Sequence, residues 1–203
     1  MTLDDPKLFE RADPHRARDV LTEFPAQCRA ALKLSAAPAL SIARPTLVVL
    51  AGMGGSAAGA ELIAGCAEAK LDVPIIVHRG YGLPAVAGKR TLVIASSYSG
   101  NTEEVLSAAE TALERDVPIV MLTAGGRLEA LAAARRLPQV KLPDGLMPRM
   151  ALGYLFFPPP RVLAAAGLPV ASDAEIAEAL EVVTALAAEL APSRGAEQNE
   201  GKR

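Results

Sequence analysis

The chain contains no tryptophan, and only three tyrosines and four phenylalanines among its 203 residues. A core built here closes on aliphatic and small side chains, and the abundance of alanine and leucine favours helices. Cysteine is equally scarce. Cys28 and Cys66 have neither CxxC nor zinc-type spacing, and a reduced pair is expected rather than a disulfide framework. Neither sign of charge is in excess: a net charge of −2 leaves no electrostatic footprint for nucleic acid. The most apolar stretch, Leu152 to Val170, is broken by Pro158-Pro159-Pro160 and Arg161, which argues against a membrane span. The start, Met1-Thr2-Leu3-Asp4-Asp5-Pro6, is acidic and has no apolar h-region, so no secretory signal is read there and a cytoplasmic location is expected. A hydrophobic content of 51% excludes a disordered chain.

What is present is an alternation. Thr46 to Ala51 is a short continuous apolar run, the pattern of a strand buried on both faces. Helix-like Ser56–Lys70 follows, then strand-like Val73–His78 and Thr91–Ser96, helix-like Asn101–Arg115, strand-like Val117–Thr123, helix-like Gly126–Arg136 and a last short strand over Gln139–Leu142. Alternating strands and helices predict an α/β fold, a doubly wound parallel sheet of about five strands flanked by helices, with extra helices at both ends. Residues 13 to 34 read as one or two helices with Pro25 breaking or starting one of them. The helix-like run after Arg149 must be interrupted or kinked at the three prolines. Ser172 to Leu190 reads as an amphipathic helix with Ser172 at the N-cap and Glu175 completing a capping box, followed by a loose polar tail from Ser193.

Chemistry concentrates in two loops. Ser96-Ser97-Tyr98-Ser99-Gly100-Asn101-Thr102 sets four hydroxyls between a strand and a helix start, and Gly52-Met53-Gly54-Gly55-Ser56 repeats the design earlier. Hydroxyls beside free helical N–H groups make a donor-rich cradle for a phosphate, with no lysine or arginine required in the loop. A nucleotide P-loop is disfavoured because no Gly-Lys-Ser/Thr occurs. Gly52, Gly54 and Ala57 fit the dinucleotide pattern G-x-G-x-x-A loosely, but His78, Arg79 and Gly80 stand where an acid is wanted; Arg79 keeps a 2′-phosphate reading open. The plainer reading of the first loop is a tight strand-to-helix turn. The plainer reading of the second is helix capping, for which one hydroxyl suffices.

Ser97-Tyr98-Ser99-Gly100-Asn101-Thr102-Glu103-Glu104 resembles the signature of SIS (sugar isomerase) domains, and Gly52 to Ser56 resembles their first phosphate-side turn. With Thr123-Ala124-Gly125-Gly126-Arg127-Leu128 and Pro148-Arg149, the resemblance narrows to the bifunctional phosphoglucose/phosphomannose isomerase family over roughly residues 40 to 165. The expected organisation is a helical segment over 1–42, an SIS domain over 43–168 and a C-terminal helix and polar tail over 169–203; members of the family typically carry two SIS domains, and the chain departs from that pattern in that the second is expected to be absent. The resemblance implies that Ser56, Ser97, Ser99 and Thr102 bind the phosphate of a hexose 6-phosphate. Gly55 lets the backbone approach the substrate, and Arg149 lies at the C1 and C2 oxygens of a cis-enediolate. Neither a metal nor an organic cofactor is implied. The family's glutamate base and ring-opening histidine have no matching position here, which a fragment of a longer chain or a partner-completed site would explain; a homodimer is what the resemblance implies. A sugar-phosphate-sensing module without chemistry, and a dinucleotide-binding oxidoreductase, are the alternatives. His78 reads as a neutral hydrogen-bonded residue at a strand end, His15 as an exposed helix residue, and Glu103 and Glu104 as outward-facing.

Overall fold

The computed structural model describes residues 3–203, the side chains of residues 6 and 9 apart; Met1 and Thr2 of the acidic N-terminal stretch lie outside them. The described residues form two compact units, one of residues 30–171 and one of residues 3–29 with 172–203.

The larger unit is the sheet domain. Five parallel strands, β1 (Leu47–Gly52), β2 (Ile75–His78), β3 (Thr91–Ser96), β4 (Ile119–Thr123) and β5 (Gln139–Lys141), lie in the order β2-β1-β3-β4-β5. The period-2 alternation of a strand sorts the side chains of β1, β3 and β4 onto two faces, and both faces are apolar. Val48, Leu50, Leu92, Ile94, Val120 and Leu122 belong to one buried cluster; Leu47, Val49, Ala51, Val93, Ala95, Ile119 and Met121 belong to the other. The first face is covered by Ala60, Ile63 and Ala67 of one helix (residues Gly54–Glu68) and by Leu155, Val162 and Leu163 of two shorter ones (Leu152–Phe156 and Pro158–Ala165). The second face is covered by Val105, Leu106, Ala108, Ala109 and Ala112 of helix Glu103–Glu114 and by Leu128 and Ala132 of helix Gly126–Arg135. The sheet is therefore doubly wound, and alanine rather than aromatic bulk sets the spacing of its layers. Three prolines open the Pro158–Ala165 helix instead of kinking one longer helix, because a first helical turn has no use for the N–H that proline lacks.

Numbered in chain order, the helices are α1 (Pro6–Ala12), α2 (Ala17–Thr22), α3 (Phe24–Ala31), α4 (Gly54–Glu68), α5 (Glu103–Glu114), α6 (Gly126–Arg135), α7 (Leu152–Phe156), α8 (Pro158–Ala165) and α9 (Asp173–Glu189). The smaller unit holds α1, α2, most of α3, and α9. At the start of α9 the Ser172 hydroxyl accepts from the Glu175 N–H at 3.3 Å, and the Glu175 carboxylate accepts from the Ser172 N–H at 2.8 Å, the capping box read in the sequence. The polar tail is not loose. It folds into two 3₁₀ turns, Ala196–Gln198 and Glu200–Lys202; Asn199 is buried and donates to the Ala191 carbonyl, and the Lys202 ammonium meets Asp4 at 2.8 Å and the Pro192 carbonyl at 2.7 Å. Amide and ammonium donors satisfied by backbone carbonyls do for this segment what apolar burial does elsewhere. His15 lies exposed in a turn before α2 rather than in a helix. No described helix is long and apolar enough to cross a membrane.

Candidate functional site

In the order 2-1-3-4-5, β1 connects outward to β2 on one side, and the chain then crosses back to β3 on the other. Adjacent loops leaving such a switch point diverge and open a crevice beyond the strand ends, where ligands bind in open parallel sheets. Gly52, the last residue of β1, pairs with Ser96, the last residue of β3. The Gly52–Ser56 and Ser96–Thr102 loops therefore leave the sheet side by side, about one strand spacing (~4.8 Å) apart. Each runs into a helix, α4 or α5, whose first N–H groups have no intrahelical acceptor.

Hydroxyls here are not spent on capping. Met53 and Thr102, the N-cap residues of α4 and α5, make no side-chain capping bond. Instead Ser97 Oγ and Thr102 Oγ1 lie 2.8 Å apart, Ser97 Oγ accepts from the Gly100 N–H at 3.1 Å, and Ser99 Oγ accepts from the Asn101 N–H at 3.3 Å. Ser56, in the first turn of α4, and Ser97 are buried, Thr102 is half-buried, and Ser99 is exposed. The loop curls back on itself into a ring of hydroxyls and amides with its outer serine open to solvent. Such a ring offers several neutral donors to an anion without a buried charge to desolvate.

A third loop holds the second in shape. The Asn101 side chain donates to the Ser99 carbonyl at 3.2 Å and accepts from the Arg127 N–H at 3.1 Å; the Gly100 carbonyl accepts from the Leu128 N–H and the Tyr98 carbonyl from the Ala124 N–H. Gly100 has φ +70°, and a Cβ there would stand 1.7 Å from the Gly125 carbonyl oxygen. Only glycine permits this backbone-on-backbone contact. In the sequence Asn101 reads as the start of a helix; its amide joins two loops, and its place directly after the glycine of the serine loop was the available signal.

Arg149 sits in a 3₁₀ turn, Pro148–Met150, against the first turn of α4. A Cβ added to Gly55 would lie 3.0 Å from the Pro148 carbonyl oxygen and 3.4 Å from the Arg149 Cα. The absence of a side chain at Gly55 is what lets this turn approach. The guanidinium is exposed, with Nη2 donating to the Met147 sulfur at 3.5 Å. Ser56, Gly55, Ser97, Ser99 and Thr102 are thus gathered at one sheet edge by strand pairing, and the backbone of Arg149 is brought to the same edge by its contact with Gly55.

Other candidates are occupied. His78, at the end of β2, donates from Nε2 to the Gly82 carbonyl at 3.0 Å. Glu103 accepts from the Tyr81 hydroxyl at 3.2 Å; that bond and the negative charges of Glu103 and Glu104 hold the exposed Tyr81 phenol above its usual pKa. Arg79 forms an ion pair with Glu61 at 2.9 Å, and the strand order is not the 3-2-1-4-5-6 of classical dinucleotide domains, so the oxidoreductase alternative is not favoured. No group of three His, Cys, Asp or Glu side chains suited to a metal occurs among the described residues.

Hydroxyl-rich loops at the switch point of a doubly wound parallel sheet place the larger unit among SIS-type α/β domains. The same fold is found in the C-terminal domain of glucosamine-fructose-6-phosphate aminotransferase from Francisella tularensis, with a TM-score of 0.56 at 15% identity over 84% of this chain and 54% of that one. The chain is 42% identical over 156 residues to the bifunctional phosphoglucose/phosphomannose isomerase of Caldicellulosiruptor bescii, covering 77% of this chain and 46% of the relative. It is 41% identical over 111 residues to the enzyme of the same name from Thermoplasma acidophilum, covering 55% of this chain and 34% of the relative. No protein-family model matches the chain. Over the matched stretch the chain is similar to bifunctional phosphoglucose/phosphomannose isomerases. The chain spans less than half the length of these curated relatives.

Proposed function

We propose that this chain anchors a hexose 6-phosphate and takes part in its aldose–ketose interconversion through a cis-enediolate. The observation that carries the reading is the pairing of Gly52 with Ser96, which delivers two hydroxyl-bearing loops together at the switch point. In this reading Ser56, Ser97, Ser99 and Thr102 hold the phosphate with the first N–H groups of α4 and α5, and the Gly55 backbone approaches the sugar. Removal of the C2 proton moves the electron pair between C1 and C2 and leaves charge on the former carbonyl oxygen at C1. The O2 hydroxyl proton passes to O1, and a proton returned to C1 as O2 becomes the carbonyl completes the ketose. Arg149 is the donor for that oxyanion: a guanidinium stays charged at all working pH values and offers a rigid fork to two adjacent oxygens. The remote phosphate supplies the binding energy that fixes the reacting carbons.

No residue of this chain is assigned as the C2 base or as the acid that opens the sugar ring. A partner that completes the site supplies them; the chain itself forms a homodimer, and the site domain spans residues 43–168 in a cytoplasmic protein. The names of the curated relatives support the substrate class. The test is titration of the pure chain with fructose 6-phosphate together with an isomerase assay. Weak binding with little turnover is expected. No binding would overturn the anchor, and a robust isomerase rate from the 203-residue chain alone would overturn the assignment of the base to another chain.

A further inference from the structure

The middle residue of the serine loop does not face the cradle. Tyr98 is 5% exposed, and its ring joins the core cluster of Leu142, Ala151 and Leu155 on the α4 face of the sheet. From there its hydroxyl spans the loop that carries Arg149: it donates to the Pro143 carbonyl at 2.8 Å and accepts from the Leu146 N–H at 3.1 Å. Pro143 and Leu146 are the two ends of a turn around Gly145, whose φ is +90°. Two residues beyond Leu146 the chain enters the 3₁₀ turn of Arg149. Burial also pushes the Tyr98 phenol above its usual pKa, so it remains an O–H donor throughout the neutral range.

We propose that Tyr98 is a positioning residue that couples the phosphate loop to the Arg149 turn, so that anchoring the phosphate and aligning the guanidinium become one event. The inference rests on the phosphate and enediolate reading of the site. Ser97 and Ser99 bracket Tyr98 in sequence and turn their hydroxyls into the loop ring, while Tyr98 turns the other way and grips the turn from below. A displacement of the phosphate loop is transmitted through a rigid aromatic ring with only two rotatable side-chain bonds to the ring. A phenylalanine would keep the packing and lose both bonds. Pro143 is exposed, so its released carbonyl is rehydrated and the loss falls on loop order rather than on the core.

The test compares two probes by calorimetric titration: inorganic phosphate, which needs only the cradle, and arabinonohydroxamate 5-phosphate, whose planar head imitates the cis-enediolate. Tyr98→Phe is expected to leave phosphate affinity within about twofold and to weaken the hydroxamate about tenfold, a loss of hydrogen-bond size. Arg149→Ala is expected to give the same selective loss, and the double variant no more than either alone. Amide exchange at Leu146 should quicken in Tyr98→Phe while β3 stays protected. Gly145→Ala, strained at its positive φ with no atom within 4 Å of the new Cβ, disturbs the same turn with Tyr98 intact and should reproduce the selective loss even if Tyr98→Phe folds poorly. Equal losses for both probes in Tyr98→Phe, or full hydroxamate affinity in that variant, would overturn the coupling while leaving the anchor in place. Wild-type protein that binds neither probe would overturn the site reading and the coupling with it.

Discussion

Ser97 and Ser99 differ in what they hold, although the sequence presents them as equivalents. Ser97 is buried and its hydroxyl serves both the Gly100 N–H and Thr102, so it shapes the loop as well as facing a ligand. Ser99 is exposed and bonds only its own turn. Ser99→Ala is therefore expected to reduce fructose 6-phosphate affinity while the melting temperature stays put. Ser97→Ala should reduce affinity and also cost about 1–2 kcal/mol of stability. Calorimetric titration beside thermal melts separates the two. The cysteines diverge in the same way. Cys28 is fully buried and burial pushes its thiol from an ordinary value near 9 up to about 11, whereas Cys66 is exposed. At pH 8 an aromatic disulfide reagent should titrate one thiol in native protein and two after denaturation. The raised value for Cys28 stabilises the fold fully below pH 9, and that contribution fades as the pH climbs through 9 toward 11, where the unfolded chain ionises first.

At the scale of elements, three loops form one body. The β3–α5 loop is held by backbone contact to the β4–α6 loop at Gly100 and Gly125, by the Asn101 amide, and by the Leu128 N–H. Gly100→Ala puts a methyl group where the Gly125 carbonyl stands and forces a left-handed φ on a residue with a Cβ. Strain of this kind costs about 1–3 kcal/mol before the clash is counted. The expected outcome is a lower melting temperature and loss of phosphate binding together. An unchanged affinity would show that the loop's shape is not what binds the anion.

For the whole molecule, a ligand held at the switch point stabilises the native chain by mass action. Fructose 6-phosphate at a hundredfold excess over its dissociation constant should add about 2.7 kcal/mol. In a chain of this length that raises the melting temperature by roughly 5–10 °C. Fructose without the phosphate should leave it unchanged, because the cradle contacts only the anion. A rise of equal size with fructose would place the binding energy outside the serine loops.

The sequence by itself determined the layers. Short apolar runs at β1, β3 and β4, each followed by a helix, can bury both faces only as parallel strands in a doubly wound sheet, and helix ends carry their own local signals, as at Ser172 and Glu175. The serine loops were legible for the same reason: hydroxyls and glycines at a strand-to-helix turn are a local pattern. What the tertiary structure alone decided is non-local. Strand order fixed Gly52 against Ser96, and close approach at Gly55 and Gly100 drew the Arg149 turn and the β4–α6 loop to the serine loops. Tyr98, to which local reading gave no role, faces the core and grips a turn 45 residues away in sequence. The ordered tail escaped as well, since Asn199 and Lys202 are satisfied by carbonyls and a carboxylate that only folding brings near. A sequence carries its periodicities within one element; which element lies beside which is settled by the burial of two faces at once.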